Sequence, residues 1–169
     1  MDAAEQKPRY PWYVRAIIGR NPLYTLFRAI VWAVLLIVFY KFALIGIRVR
    51  GQSMEPNFHD GQVKLINRLA YMRHAPQRGD VVAFKADEYD ALIFKRVIGL
   101  PGETVSIHAR GEIFINGKPL DEPYPTIGHT NYRGTQTLEP DQYFLFGDNR
   151  EISERYFKYK YQLLGKLLF

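Results

Sequence analysis

A chain of 169 residues without a single cysteine excludes a thiol nucleophile, a zinc–thiolate site and a disulfide framework, and its length allows one modest domain plus an anchor. The net charge of +6 is concentrated at the front, where Lys7, Arg9, Arg15, Arg20 and Arg28 are opposed only by Asp2 and Glu5. That distribution points to a membrane-flanking segment and away from a nucleic-acid surface, and no run interleaves aromatic and basic residues in an RNA-binding pattern.

Residues 1–22 are polar to mixed. Residues 11–18 read equally as a short amphipathic element at a membrane surface and as a lead with chance apolar content. Asn21-Pro22 marks a turn. Residues 29–47 form the long apolar run, interrupted only by Lys41 and Gly46. As a helix this run spans roughly 28 Å, close to the thickness of a hydrocarbon core. Lys41 lies far enough along to snorkel to the far interface, and Trp32 and Tyr40 suit interfacial positions. A cleavable signal peptide and a buried core helix are the alternatives. The basic lead and the lack of a small-x-small site after the run disfavour cleavage. The positive flank predicts a cytoplasmic segment at 1–28, a single transmembrane helix at 29–47 and an extracytoplasmic domain at 48–169, in the cytoplasmic (inner) membrane.

From residue 48 onward the signals are β. Residues 63–68, 81–84, 91–98, 104–108 and 142–146 read as strands. Residues 112–120 read as a hairpin turning at Asn116-Gly117. Residues 121–137, rich in Pro, Gly, Thr and Asn, read as a loop. The fold expected is a mainly β, antiparallel domain tethered by one N-terminal helix. His59, His74, His108 and His129 lack metal-ligand spacing and read as surface or loop residues, so no metal and no cofactor is expected.

Two stretches carry chemical interest. Around residue 50, Ile47, Val49 and Gly51 alternate with Arg48, Arg50 and Gln52, the period of a strand. The same period places Ser53 on the face of Ile47 and Val49, with Gly51 allowing close backbone approach. Pro56 then limits regular structure. From these residues alone, the first reading of Ser53 is an ordinary strand-to-loop serine. The second stretch holds Lys95 inside an apolar segment. Such a lysine either snorkels to the surface or is buried, and burial disfavours its charged form. A buried neutral lysine beside a serine hydroxyl can serve as its general base.

Residues 53–57, Ser-Met-Glu-Pro-Asn, resemble the S-M-x-P-T box of bacterial type I signal peptidases. Residues 95–103, Lys-Arg-Val-Ile-Gly-Leu-Pro-Gly-Glu, resemble their K-R-V-x-G-L-P-G-D/E box. Residues 79–84 match the G-D-I/V-V-x-F box, and Gly147-Asp148-Asn149-Arg150 matches the opening of G-D-N-R-x-x-S-x-D-S-R. The resemblance, with all boxes in order, runs from about residue 29 to Lys166. It implies an antiparallel β catalytic domain with two sheet regions, and a Ser53/Lys95 dyad. The Ser53 backbone N–H is implied as oxyanion donor. Gly51 stands where some members carry an additional hydroxyl. Ile47, Val49, Gly51, Met54 and Phe94 become candidates for the substrate groove, and Asp148, Asn149, Arg150 and Ser153 for support of the catalytic strand and lysine. After Arg150 the chain departs from the pattern: matching Arg155-Tyr156-Phe157 leaves two residues missing. Ser153 remains a candidate for the serine that contacts the lysine, while the family's aspartate has no counterpart other than Glu154. Leu164-Gly165-Lys166 resembles the family's closing residues, which implies that little follows Phe169.

The resulting expectation is a membrane-anchored serine endopeptidase that removes signal peptides from exported preproteins. One rival is a processing peptidase dedicated to a pilin or conjugation subunit, which a departed last box would suit. The other is an inactive membrane-bound binding protein on the same scaffold. The expected partners are preproteins or pilin-like substrates and membrane lipids.

Overall fold

The computed structural model describes residues 22–86 and 92–168. The short element read at 11–18 lies outside them. Helix α1 spans Pro22–Ala43. Pro22 suits a first turn because its missing N–H has no intrahelical role there. Within α1, Leu23–Ala43 has a mean hydropathy of 2.1 and none of its most apolar window is buried, so its length and composition suffice to cross a membrane. Large apolar side chains are exposed on every side of the helix, from Leu23 to Phe42.

The apolar run at 29–47 therefore does not coincide with the helix. Its last four residues, Leu44 to Ile47, enter strand β1 (Leu44–Arg48), which pairs antiparallel with β2 (Val63–Asn67). A continuous apolar run carries no period to separate helix from strand, and the boundary is set by the distant partner in β2. The helix and the β region are two compact units, dividing between Phe42 and Ala43.

The β unit continues with β3 (Val81–Lys85), β4 (Leu92–Gly99), β5 (Thr104–Ile107), β6 (Ile113–Ile115), β7 (Lys118–Pro119), β8 (Gly134–Thr137), β9 (Gln142–Phe146), β10 (Tyr156–Tyr159) and β11 (Leu163–Leu168). A seven-stranded antiparallel sheet has the order β1-β2-β11-β3-β4-β9-β10, and a four-stranded sheet has the order β7-β6-β5-β8. The hairpin at 112–120 forms as expected, and both turn residues, Asn116 and Gly117, have positive φ. Strand β8 corrects the reading of residues 121–137 as loop throughout.

The central strands are buried on both faces. Along β3, Val81 and Ala83 join one cluster with Val49, Met54, Phe58 and Phe94, whereas Val82 and Phe84 join another with Tyr71, Val97 and Leu145. Ile98, Phe144 and Phe146 of the large sheet pack with Val105, Ile107, Ile113 and Ile115 of the small one. Burying both faces fixes the register of β3 and β4, because a slip of one residue exchanges every side chain between clusters. That rigidity positions Lys95, which pairs with Val82 across the two strands.

Candidate active site

Ser53 is presented by a turn that the chain enters directly after β1. Val49 donates to the Gln62 carbonyl at 2.8 Å and accepts from the Gly61 N–H at 2.9 Å. Gly51, with φ +85°, donates its N–H to Asp60 Oδ1 at 2.7 Å. A side chain at Gly51 would meet nothing within 4 Å. Its requirement is therefore the left-handed backbone, which corrects the expected close approach. Within the turn, Glu55 N–H bonds to the Gln52 carbonyl and Phe58 N–H to the Met54 carbonyl. Met54 and Phe58 are buried in the cluster with Val49. These anchors hold Ser53, itself half-buried, at the rim of a cleft.

The cleft has a volume of about 280 Å³ and includes both Ser53 and Lys95 in its lining. Val49, Gly51, Met54 and Phe94 line it as expected, whereas Ile47 packs against the core cluster. Arg50, Leu92, Ile93, Ile152, Glu154 and Tyr156 complete the lining. Lys95 is only 3% exposed. Burial lowers its pKa from the ordinary 10.5 to about 8, against the opposing pull of the Glu154 and Asp148 carboxylates.

Lys95 Nζ lies 3.0 Å from Ser153 Oγ. That hydroxyl also receives the Gly147 N–H at 2.8 Å and is placed to donate to the Glu154 carbonyl at 2.9 Å. A hydroxyl has one proton and two acceptor sites. With its proton on the Glu154 carbonyl, Ser153 can only accept from Lys95. It therefore fixes the lysine head while leaving the lone pair of the neutral amine free. Among the described residues no direct hydrogen bond joins Lys95 to Ser53, and the Lys95 head bonds to Ser153.

The Gly147–Arg150 segment binds the two stretches together. Asn149 donates its N–H to the Ser53 carbonyl at 3.1 Å. Asp148 is fully buried and accepts from Arg96 Nε at 2.7 Å and from Arg96 Nη2 at 2.5 Å. Asn57 Nδ2 reaches Asp148 Oδ2 at 2.8 Å and the Pro125 carbonyl at 2.9 Å. Asp148 thus ties the Ser53 turn to the residue next to Lys95, and a two-pronged buried pair of this kind is both strong and orienting. Arg96 also stacks at 3.9 Å on the Tyr124 ring, and Arg150 pairs with Glu122. The Asn149 amide oxygen is buried without a hydrogen-bond partner among the described residues.

Sequence reading placed Asp148 and Ser153 near the lysine but gave no role to Arg96, Asn57, Glu122 or Tyr124. Arg96 carried a usable signal, because a second charge inside an apolar strand demands a buried partner. The four histidines are exposed, as read.

Gly147 is where the parts come closest. A Cβ there would lie 2.2 Å from the Ser53 carbonyl oxygen and 2.4 Å from Ser153 Oγ. Gly147→Ala must push the Ser53 turn away from the segment that holds the lysine. The expected cost is about 2 kcal/mol or more of stability, read by denaturant unfolding. Unfolding unchanged from the parent would show that the two segments part easily.

Residues 23–159 match the model of a family described as signal peptidase, peptidase S26. The chain belongs to the signal peptidase family. Over 139 residues it is 30% identical to signal peptidase IB of Staphylococcus aureus strain Mu50, covering 72% of each chain. Over 111 residues it is 34% identical to a probable signal peptidase I-2 of Synechocystis, covering 62% of this chain. The matched part spans half the length of that Synechocystis relative. A crystal structure of a signal peptidase I from Enterococcus faecalis aligns with a TM-score of 0.46 at 30% identity, over 55% of this chain and 97% of that one. Ser53, Lys95, Asp148 and Ser153 all fall within the matched residues, whereas β11 lies beyond them.

Proposed function

We propose that this family member is a membrane-anchored serine endopeptidase that removes signal peptides from exported preproteins, with Ser53 as nucleophile and Lys95 as general base. The observation that carries the reading is Lys95: a buried lysine, lowered to about pKa 8 and held by Ser153, shares one cleft with a serine on an anchored turn.

Neutral Lys95 takes the proton of Ser53 Oγ as the oxygen attacks the scissile carbonyl. The developing oxyanion receives the Ser53 backbone N–H, and Gly51 offers no side-chain donor beside it. Protonated Lys95 then returns its proton to the leaving amine. In the second half, it accepts a proton from the water that hydrolyses the acyl-serine. The substrate enters as an extended strand beside β1, which ends the large sheet among the described residues, and Met54 and Phe94 favour small side chains before the cut. The test is cleavage of a model preprotein by purified protein, with mass analysis of the new termini. Cleavage absent, or falling at scattered sites, would overturn the reading.

The anchor is α1, with its basic lead in the cytoplasm and the β unit on the far side. A reporter fused after Phe169 is expected to behave as external, and one fused before Tyr24 as cytoplasmic. The reverse pattern would remove the access to exported substrates that the mechanism needs.

A further inference from the structure

Residues 154–157 alternate between two cavities. Glu154 and Tyr156 line the Ser53 cleft, whereas Arg155 and Phe157 line a second cavity of about 210 Å³. This alternation is the period of a strand, so the two cavities lie on opposite faces of the chain entering β10. The second cavity includes buried Val105, Ile107 and Phe144 in its lining and is bordered by β8. All four β8 residues are exposed. Among the described residues β8 ends the small sheet, with β5 as its single neighbour; Gln136 Nε2 covers the Thr137 carbonyl at 3.0 Å, and the other outward backbone N–H and C=O groups of the edge are open.

The charge at this cavity has one sign. Arg133 and Arg155 line it, and no carboxylate does. Neither arginine has an acidic partner among the described residues. Both are nevertheless held in place. Arg155 stacks at 4.4 Å on the Tyr132 ring, and Arg133 Nη1 donates to the Thr130 and Tyr132 carbonyls, both at 2.9 Å. These contacts leave most of each guanidinium fork unused, and such forks match carboxylates with two parallel hydrogen bonds.

The geometry points to a docking site for an extended acidic segment of another polypeptide, which adds as a strand to β8. On the face that this strand turns to the cavity, formed by every second residue, acidic side chains pair with Arg133 and Arg155 and apolar ones cover Val105, Ile107, Phe144 and Phe157. A free anion would use the arginines but neither the open edge nor the apolar floor. A strand whose cavity face carries both acidic and apolar residues uses all three, and main-chain pairing supplies affinity while the side chains supply selectivity. The site is independent of the roles of Ser53 and Lys95.

The test uses the full chain in detergent micelles and an end-blocked, fluorescein-labelled peptide of Thr-Glu-Thr-Val repeats, which carries Glu and Val on one strand face, read by fluorescence anisotropy. Saturable binding is expected, and it should weaken at least about tenfold when Gln replaces Glu in the peptide or in the Arg133→Gln/Arg155→Gln protein. Methylating alternate amide nitrogens of the peptide should weaken binding by a similar factor, because strand addition needs those N–H groups. The Arg133→Glu/Arg155→Glu protein should prefer the peptide with Lys in place of Glu, a gain that misfolding cannot produce. Absent binding, or binding indifferent to the arginines or to methylation, overturns the proposal and leaves the arginines as guards of an open edge. Arginine-dependent attachment to phosphatidylglycerol vesicles without peptide binding overturns it too, assigning the charges to lipid.

Discussion

Ser53→Ala is expected to lower preprotein cleavage by at least about 10³-fold while leaving the fold intact. The argument rests on what the hydroxyl does in the resting molecule. The turn is held by the buried side chains of Met54 and Phe58 and by backbone bonds at Gly51, Glu55 and Phe58, none of which needs Ser53 Oγ. The link from Ser53 to Asn149 uses the serine carbonyl, which alanine keeps. Stability should therefore change by no more than about 0.5 kcal/mol, the range for a substitution outside the core. Activity and stability separate in this variant, so one preparation reports both through product analysis and denaturant unfolding. Ser53→Cys is expected to retain a small fraction of activity, since a thiol also attacks carbonyls. Cleavage by the alanine variant within tenfold of the parent would place the nucleophile elsewhere.

The parts of this site carry separate local signals in the sequence, and only the resemblance of four boxes in order joined them into one site. The end of the strand period before Ser53, the following Pro56, and a lysine inside the apolar strand 92–99 each carry their own signal. The architecture was legible for the same reason where strands alternate or run apolar between turns, as in β3, β4 and β9. β8 was hidden because Gly134-Thr135-Gln136-Thr137 is exposed at every position and has no buried face to set a period. β11 was hidden by its partners. It pairs with β2 and β3 from far along the chain, with a register shift between Leu163 and Gly165, and no local pattern encodes that.

The helix boundary failed for a related reason. Residues 44–47 belong to the apolar run by composition and to the sheet by pairing with residues 64–67. The reading of Gly51 failed differently, since a sequence cannot separate a glycine needed for close approach from one needed for its φ. After Arg150 the chain departs from the pattern it resembles, and Ser153 was a candidate for the lysine's contact. The hydrogen bond from Ser153 N–H to the Asn149 carbonyl, 3.0 Å, closes a tight turn that brings Ser153 Oγ to Lys95. Glu154 accepts from the Tyr156 hydroxyl at 2.6 Å.

Lys95 gives the prediction that separates a base from a structural cation. With a pKa of about 8, roughly a tenth of the molecules hold neutral Lys95 at pH 7 and half do so at pH 8. The rate of the chemical step should climb about fivefold over that unit and level off above about pH 9. Lys95→Arg cannot deprotonate in this range and should be inactive at every pH, and Lys95→Met should be equally inactive. Stability carries the opposite message. The folded pKa lies below the unfolded value near 10.5, so between the two the unfolded chain binds the proton that the native chain has released. Stability from this group therefore rises with pH through that window. Below about pH 8 the charged form imposes its full cost, on the order of 3 kcal/mol. Lys95→Met should thus be more stable than the parent at pH 7, by an amount that shrinks as the pH approaches 10. Lys95→Arg keeps a permanent charge in the same buried place and should gain no relief at high pH. Unfolding free energies of the three proteins at pH 7 and 9.5, beside their cleavage rates, decide the matter. A folded Lys95→Arg protein with near-parental activity would sink the dyad, and a Lys95→Met protein less stable than the parent at pH 7 would make the lysine a structural cation.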